Sequence, residues 1–266
     1  MADTTIADFT AGSTAAVTDR LAGVRSPFGA GDDRYLRPDG ILALMRGYIG
    51  GLTLSNNGGT PLTKIDVSAG ACVDETAAQL LKTTAVTIDC GTTGALGLDA
   101  GALANSTWYH VHVIGKTDGT VSALASTSVA SPTLPTGYTL ARRIGSFKTN
   151  GSAQILAFTQ IGDVFYWAAT VLDSQATIGT SRTLITLSVP TGVTVRPIMF
   201  TTAYNGTVVC ISPSEPDESV SATLNLASGM GTSGNGPQFQ SGVVYTNTSA
   251  QVATRAAAAS AGKIGR

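Results

Sequence analysis

This sequence predicts an all-β chain, on three observations. Charged residues make up only 12% of its 266 positions, about half the usual share of a globular chain. Thr, Ser, Ala and 31 glycines take their place; Thr and Val suit a pleated strand, and glycine supplies the positive-φ positions of tight turns. From residue 50 onward, short runs rich in Val, Ile, Thr and aromatics alternate with turn clusters. Hydrophobic residues reach 43%, so a core can be buried. The predicted architecture is an N-terminal extended arm with one short helix over residues 1–46, then two antiparallel β-sandwich or jelly-roll-like domains over 47–170 and 171–266.

The arm comes first. In "STAAVTDRLAGVRSPFGAGDDRYL" isolated apolar residues follow no period, so the segment is ordered mainly by what it lies against. Leu21, Val24, Phe28, Tyr35 and Leu36 cannot be buried by the arm itself and are assigned to docking on a neighbour. In "RPDGILALMRGYIG", Pro38 suits a first helical turn, and Ile41, Leu44, Met45 and Tyr48 recur at helical spacing. Gly47 is placed to end that helix.

Turn clusters then separate the strands: "SNNGG" at 55–59, "SAG" at 68–70, "TDGT" at 117–120, "TNGS" at 149–152 and "IGD" at 161–163. The clearest hairpin is "STWYHVHVIGKTDGTVSALAS", where Asp118-Gly119 signals a type I′ turn. A second hairpin turns at Gly162-Asp163. A boundary falls near 168–180, where "AATVLDSQATIGTSR" ends an aromatic run. Beyond it "TLITLSVP", "VRPIMFTTAY", "GTVVCIS", "VSATLNLAS" and "FQSGVVYT" give further strands at a spacing of about ten residues, as in a sandwich or jelly roll. The alanine-rich end, "TRAAAASAGKIGR", reads as a last strand plus a tail. No repeat of fixed period runs through the chain.

Charge narrows the function. The net charge is −1 and the basic residues are scattered, so no concentrated positive field exists for nucleic acid or an anionic membrane surface. No window holds eighteen consecutive apolar residues, so no membrane-inserted helix is expected. "MADTTIADFTAG" lacks the basic and apolar regions of a signal peptide. Cys72, Cys90 and Cys210 have no ligand-like spacing and read as small buried residues of a reducing compartment, with a Cys72–Cys90 bridge the less favoured reading.

Four candidate chemistries are set against plainer readings. His110 and His112 share one strand face, as strand-built zinc sites require, but no third ligand accompanies them. The plainer reading puts Tyr109, Val111 and Val113 on the core face and the histidines on the other with Trp108. They are also the only imidazole bases for a Ser-His-Asp triad, and no G-x-S-x-G elbow is present. "GMGTSG" (229–234) matches a dinucleotide fingerprint in letters, but no helix follows it, so no cofactor is expected. Glu215, Asp217 and Glu218 in "SPSEPDES" gather carboxylates that a hard cation could take; they lack the ordering of a calcium loop, and a solvated loop is the ordinary reading. For glycan contact, Trp108, Trp167, Tyr204 and Tyr245 are the stacking candidates.

The segment from Gly47 to Trp167 resembles a domain recurring in bacteriophage tail-fibre and related virion appendage proteins. The resemblance is carried, in order, by "GYIGGLTLSNNGG", "IDVSAGACVDETA", "STWYHVHVIGKTDGTVSALAS" and "LPTGYTLARRIGSFKTNGSAQILAFTQIGDVFYW". The N-terminal arm is similar in style to the segments that plug such fibres into their anchor. The resemblance implies a non-enzymatic virion protein made in the bacterial host cytoplasm, trimeric with copies of itself. It would join other virion proteins of tail, collar or capsid through its arm, and its distal part would meet a host surface glycan or carry a further protein. A lectin-like module is the alternative, and a glycan hydrolase the weaker one.

"LPTGYTLARRIGSF" poses one more question, because two adjacent arginines could grip an anion. Strand alternation puts Tyr138, Leu140, Arg142 and Ile144 on one face, and Thr139, Ala141, Arg143 and Gly145 on the other. Opposite directions suit a structural strand, with Arg142 toward the buried side and Arg143 toward solvent.

Overall fold

The computed structural model describes residues 21–24, 33–36, 44–204, 207–214, 230–233, 236–238, 244–256 and 260–265. In the arm, β1 (Leu21–Val24) and β2 (Asp33–Leu36) pair antiparallel, with Leu21 opposite Leu36 and Val24 opposite Asp33. The arm therefore holds a two-stranded ribbon and is not single extended chain throughout. Phe28 lies outside the described residues, and of Leu21, Val24, Tyr35 and Leu36 only the main chain is described. The helix expected after Pro38 is described only at its last turn, where Gly47 adopts φ 90° and Tyr48 N donates to Met45 O.

Eleven strands follow between Ile49 and Trp167: β3 (Ile49–Gly51), β4 (Leu54–Asn56), β5 (Lys64–Val67), β6 (Gly70–Val73), β7 (Leu80–Thr83), β8 (Val86–Asp89), β9 (Trp108–Gly115), β10 (Val121–Ser126), β11 (Leu140–Lys148), β12 (Phe158–Ile161) and β13 (Val164–Trp167). They form three antiparallel sheets in the orders β13-β12-β4-β5-β8, β10-β9-β11 and β3-β6-β7. Strand alternation turns Leu54, Ile65, Val67, Ile88 and Phe158 of the five-stranded sheet inward. Across from them Tyr109, Val111, Val113, Ala123, Ala125 and Phe147 come from the three-stranded sheet, and Cys72 and Leu81 from the third. This shared core is a sandwich.

Strand β9 is buried at all eight positions. Both its edges are filled, by β10 from Val121 to Ser126 and by β11 from Leu140 to Lys148, so its main-chain groups find ladder partners without water. The β4–β12 joint is different, because only Thr159 and Ser55 pair through the backbone. Side-chain amides complete it. Asn56 Oδ1 accepts from Phe158 N (3.1 Å), Asn56 Nδ2 donates to Leu156 O (3.3 Å), and Gln160 Oε1 accepts from Leu54 N (3.1 Å).

The turns differ in one case from expectation. Between β9 and β10, Lys116 N donates to Thr120 O and Gly119 N to Lys116 O; within the loop only Gly119 has positive φ, at 89°. A type I′ turn needs positive φ at both central residues. The connection is therefore a three-residue loop ending in a left-handed glycine. Between β12 and β13, Ile161 pairs directly with Val164 and Gly162 has φ 59°, the glycine-first pattern of a type II′ turn.

The rest of the chain builds a second core. Its strands are β14 (Leu172–Ser174), β15 (Thr177–Ile178), β16 (Thr183–Thr186), β17 (Phe200–Tyr204), β18 (Thr207–Ile211), β19 (Met230–Ser233), β20 (Gly236–Gln238), β21 (Gln251–Ala256) and β22 (Ser260–Gly265). They assemble as β14-β22-β17-β20, with β15 also on β22, and as β16-β21-β18-β19. Ile264 from one sheet and Val208, Cys210, Val252 and Ala256 from the other bury a second apolar cluster. The alanine-rich end thus contributes an interior strand. The strand expected at "VSATLNLAS" lies outside the described residues.

One local structure occurs twice. In "TNGSAQ" (149–154), Asn150 Oδ1 accepts from Ser152 N and Gln154 N, Asn150 Nδ2 donates to Gln154 Oε1, and Ala153 has φ 56°. In "TNTSAQ" (246–251), Asn247 makes the same bonds to Ser249 N, Gln251 N and Gln251 Oε1, and Ala250 has φ 62°. The preceding threonine also repeats its bond: Thr149 Oγ1 accepts from Thr107 N, and Thr246 Oγ1 from Val195 N.

At Gly70 the neighbouring main chain leaves no room for a Cβ. A Cβ there would fall against Gly50 O and lie 2.6 Å from Leu52 N, and backbone cannot yield as a side-chain tip does. Gly70→Ala is expected to cost about 1–3 kcal/mol and to lower the thermal midpoint by several degrees. Gly58, whose Cβ would meet nothing within 4 Å, should accept alanine with little change. Equal midpoints for the two variants in a thermal melt would contradict this packing.

Candidate functional site

The outer face of β9 carries the residues that suggested chemistry. His110 and His112 are each 1% exposed. His110 Nδ1 lies 2.9 Å from Ser146 Oγ, which also accepts a long bond from Arg143 Nη1 at 3.4 Å. That leaves the serine proton free to donate to Nδ1. His112 Nε2 lies 3.1 Å from Ser128 O; a carbonyl can only accept, so this nitrogen carries the proton. Ser128 belongs to a loop pinned by Asp99, whose Oδ2 accepts from Ser126 Oγ (2.6 Å) and Thr133 N (3.0 Å). Burial pushes His110 down to about 4, with Arg143 and His112 adding to the effect, and burial likewise lowers His112 against the pull of the Ser128 carbonyl. Among the described residues no group of three His, Cys, Asp or Glu could hold a metal. The histidines are interior hydrogen-bonding residues.

The two arginines do point to opposite faces. Arg142 pairs with Val113 on the core side, and Arg143 with His112. Arg142 Nη1 meets Glu75 Oε2 at 3.0 Å and Nη2 donates to Gly47 O at 3.4 Å. Two expectations are corrected. A register shift between Arg143 and Gly145 sets Gly145 opposite Val111, on the core side, where a Cβ would lie 2.6 Å from Leu54 Cδ1. Arg143 does not stand free in solvent either. It is half-buried beside the histidines, and burial holds its guanidinium below its usual range.

The aromatic candidates separate. Trp108 is 8% exposed, with its ring 5.7 Å from that of Trp167 and 6.3 Å from that of Phe165, and Lys148 Nζ 5.7 Å above it. It is corrected from glycan contact to packing residue, because its faces are covered. Trp167 is half-buried in the same cluster. Tyr245 is exposed. The Tyr204 side chain and Glu215, Asp217 and Glu218 lie outside the described residues. Asp74 is 1% exposed and organises its own turn, accepting from Thr76 Oγ1 and Ala78 N. Cys72, Cys90 and Cys210 are free and buried, and burial pushes each thiol up to about 12.

A feature that sequence reading missed lies on the outward face of the five-stranded sheet. Cross-strand register aligns Tyr166, Thr159, Ser55, Asp66 and Thr87 in one row over all five strands. Part of this face forms an open groove of about 550 Å³, where Ser55, Asp66 and Thr87 share the lining with apolar Leu54, Val86 and Phe158 among others. Asp66 Oδ1 accepts from Thr87 Oγ1 (2.6 Å) and Asn57 Nδ2 (2.9 Å), and Oδ2 from Asn57 Nδ2 (3.1 Å). Lys64, on the same face, is paired with Asp89 at 2.9 Å. Chain order gives no hint of this row, because its Thr159–Ser55 step joins segments about a hundred residues apart.

No protein-family model matches the chain, and comparisons with curated proteins and with solved structures return no match.

The buried histidines make stability depend on pH. The folded state keeps His110 neutral down to about 4, against an ordinary value of 6.5. Between those values the unfolded chain binds more protons, so stability is full above 6.5 and falls as pH drops toward 4. Asp89 and Asp118, held low by hydrogen bonds, add their losses only below their ordinary 3.8. Urea midpoints should therefore fall between pH 6.5 and 4, and His110→Gln should flatten that fall. A wild-type profile level through this window would contradict the assignment.

Proposed function

We propose that the chain is a non-enzymatic structural component of a bacteriophage virion, a tail-fibre-type appendage protein. In this reading residues 1–46 anchor it to tail, collar or capsid proteins, and three copies associate. The β-rich remainder is presented for host attachment or to carry a further fibre protein. A head or collar fibre would use the same features at a different place on the particle.

One observation carries the reading. The motifs that resemble the appendage domain coincide with the joints of the first core. "GYIGGLTLSNNGG" supplies β3, β4 and the Asn56 bridge; "WYHVHV" is most of β9; "RRIGSF" is the bulged centre of β11; "FTQIGDVFYW" is the β12–β13 hairpin with Gln160. Among these, His110, His112 and Arg142 engage in bonds that hold neighbouring segments, and Arg143 bonds Ser146 within its own strand. Residues with chemical potential used as fasteners support a building part over a catalyst.

Native mass measurement of the full chain should give three times 26.9 kDa, and antibody labelling of purified particles should place the protein on an appendage. A monomer by mass, together with its absence from particles, would overturn the proposal.

A further inference from the structure

We propose that Asn150-Gly151 is a self-modification site, where the folded chain converts asparagine to aspartate and isoaspartate without an enzyme. The chain holds four Asn-Gly pairs, and two of them, Asn57-Gly58 and Asn150-Gly151, lie wholly within the described residues. The reaction is intramolecular. The Gly151 nitrogen attacks Asn150 Cγ and closes a cyclic succinimide. The new N–Cγ bond replaces the Cγ–Nδ2 bond, and the Gly151 proton leaves with the side-chain nitrogen as ammonia. Water then opens one carbonyl of the ring or the other, giving aspartate or isoaspartate. No oxidant or reductant takes part.

The turn supplies what the attack needs. As the glycine nitrogen adds, negative charge collects on Asn150 Oδ1. That oxygen already accepts from Ser152 N at 2.8 Å and from Gln154 N at 3.0 Å. Two main-chain donors at this range are the arrangement that stabilises an oxyanion. Among the described residues no acceptor engages Gly151 N. The glycine is exposed, with nothing within 4 Å of where a Cβ would stand. The nucleophile is therefore neither bonded away nor shielded.

Two other turns rank the site. In "TNTSAQ", Asn247 Oδ1 is held by the matching donors, Ser249 N at 3.0 Å and Gln251 N at 2.9 Å. Thr248 follows it, however, and a β-branched side chain crowds the attacking nitrogen. At Asn57 a glycine does follow, and Oδ1 accepts from Gly59 N, Thr60 N and Thr60 Oγ1. There the departing nitrogen is clasped by both Asp66 oxygens, at 2.9 and 3.1 Å. Such a charge-assisted hold is the stronger kind, and it must break before ammonia leaves. Asn150 Nδ2 meets the neutral Gln154 Oε1 instead, at 3.1 Å. The order of conversion is Asn150, then Asn57, then Asn247.

Conversion reaches the entrance to β9. Asn150 O accepts from Ser106 N at 2.8 Å, and buried Thr149 exchanges bonds with Thr107, the residue before β9. Aspartate leaves the main chain as it was. Isoaspartate lengthens it by a carbon, so these buried bonds lose their register. The site thereby sets a clock on the first core.

The test is peptide mapping by mass spectrometry of the intact chain after incubation in mildly alkaline buffer, with a urea-unfolded sample alongside. The folded chain should convert at Asn150 ahead of Asn57, with Asn247 still an amide. Gly151→Ala, which the open space at that position accommodates, should slow conversion at Asn150 by about tenfold or more. Thr248→Gly should raise conversion at Asn247 toward that of Asn150, and thermal melts check that both variants fold. Chain carrying isoaspartate at 150 should melt below fresh protein, and an equal midpoint would overturn the link to β9. An Asn150 that converts only when unfolded, conversion at Asn247 ahead of Asn150, or indifference to both substitutions would overturn the site.

Discussion

Burial of β9 on both faces is the constraint from which the first core follows. A strand enclosed on both sides loses water as a partner for its main chain, so both edges must be filled by neighbouring strands. Strand β10 fills one edge through a three-residue loop, and β11 must return to fill the other. A doubly buried strand would ordinarily be apolar throughout. Here His110 and His112 interrupt it, and each needs a partner and a neutral ring. Ser146 and the Ser128 carbonyl supply the partners, and the Asp99 bonds hold the Ser128 loop in place.

The same constraint shapes β11. Its register shift at Arg143–Gly145 restores opposite alternation beyond the arginines, so that Gly145 meets Leu54 and Phe147 stacks on Tyr109, with ring centroids 5.4 Å apart. Glycine at 145 is a packing requirement and not a turn signal. On the far sheet, β4 and β12 are joined by Asn56 and Gln160 where a backbone ladder would usually run. Side-chain amides can do this because each carries both a donor and an acceptor.

Much of this was legible in the sequence, and the exceptions share a cause. Low charge and regular turn clusters announced an all-β chain, period-two alternation put Tyr109, Val111 and Val113 on one face of β9, and Gly47 and Gly162 stand at turns as their spacing suggested. Each of these is a local property. The bulge at Arg143, the covering of Trp108 by Trp167 and Phe165, and the three-residue turn at Thr117–Gly119 depend on partners or on dihedral angles that letters do not record. The polar row is the clearest case. Thr159, Ser55, Asp66 and Thr87 become neighbours only through strand pairing, and none is unusual in its own segment. The paired "TNGSAQ" and "TNTSAQ" turns were visible as letters, but a single recurrence has no period to detect.

Native-state hydrogen exchange tests the central claim most directly, since it reads the opening energy of each strand separately. If doubly buried β9 is the element on which the first core depends, the amides of Tyr109 to Ile114 should be the slowest of residues 47–170. They should exchange only when that whole core unfolds, while those of β12 and β13 open earlier. Exchange of the β9 amides at or above the rate of the β12–β13 hairpin would contradict the account.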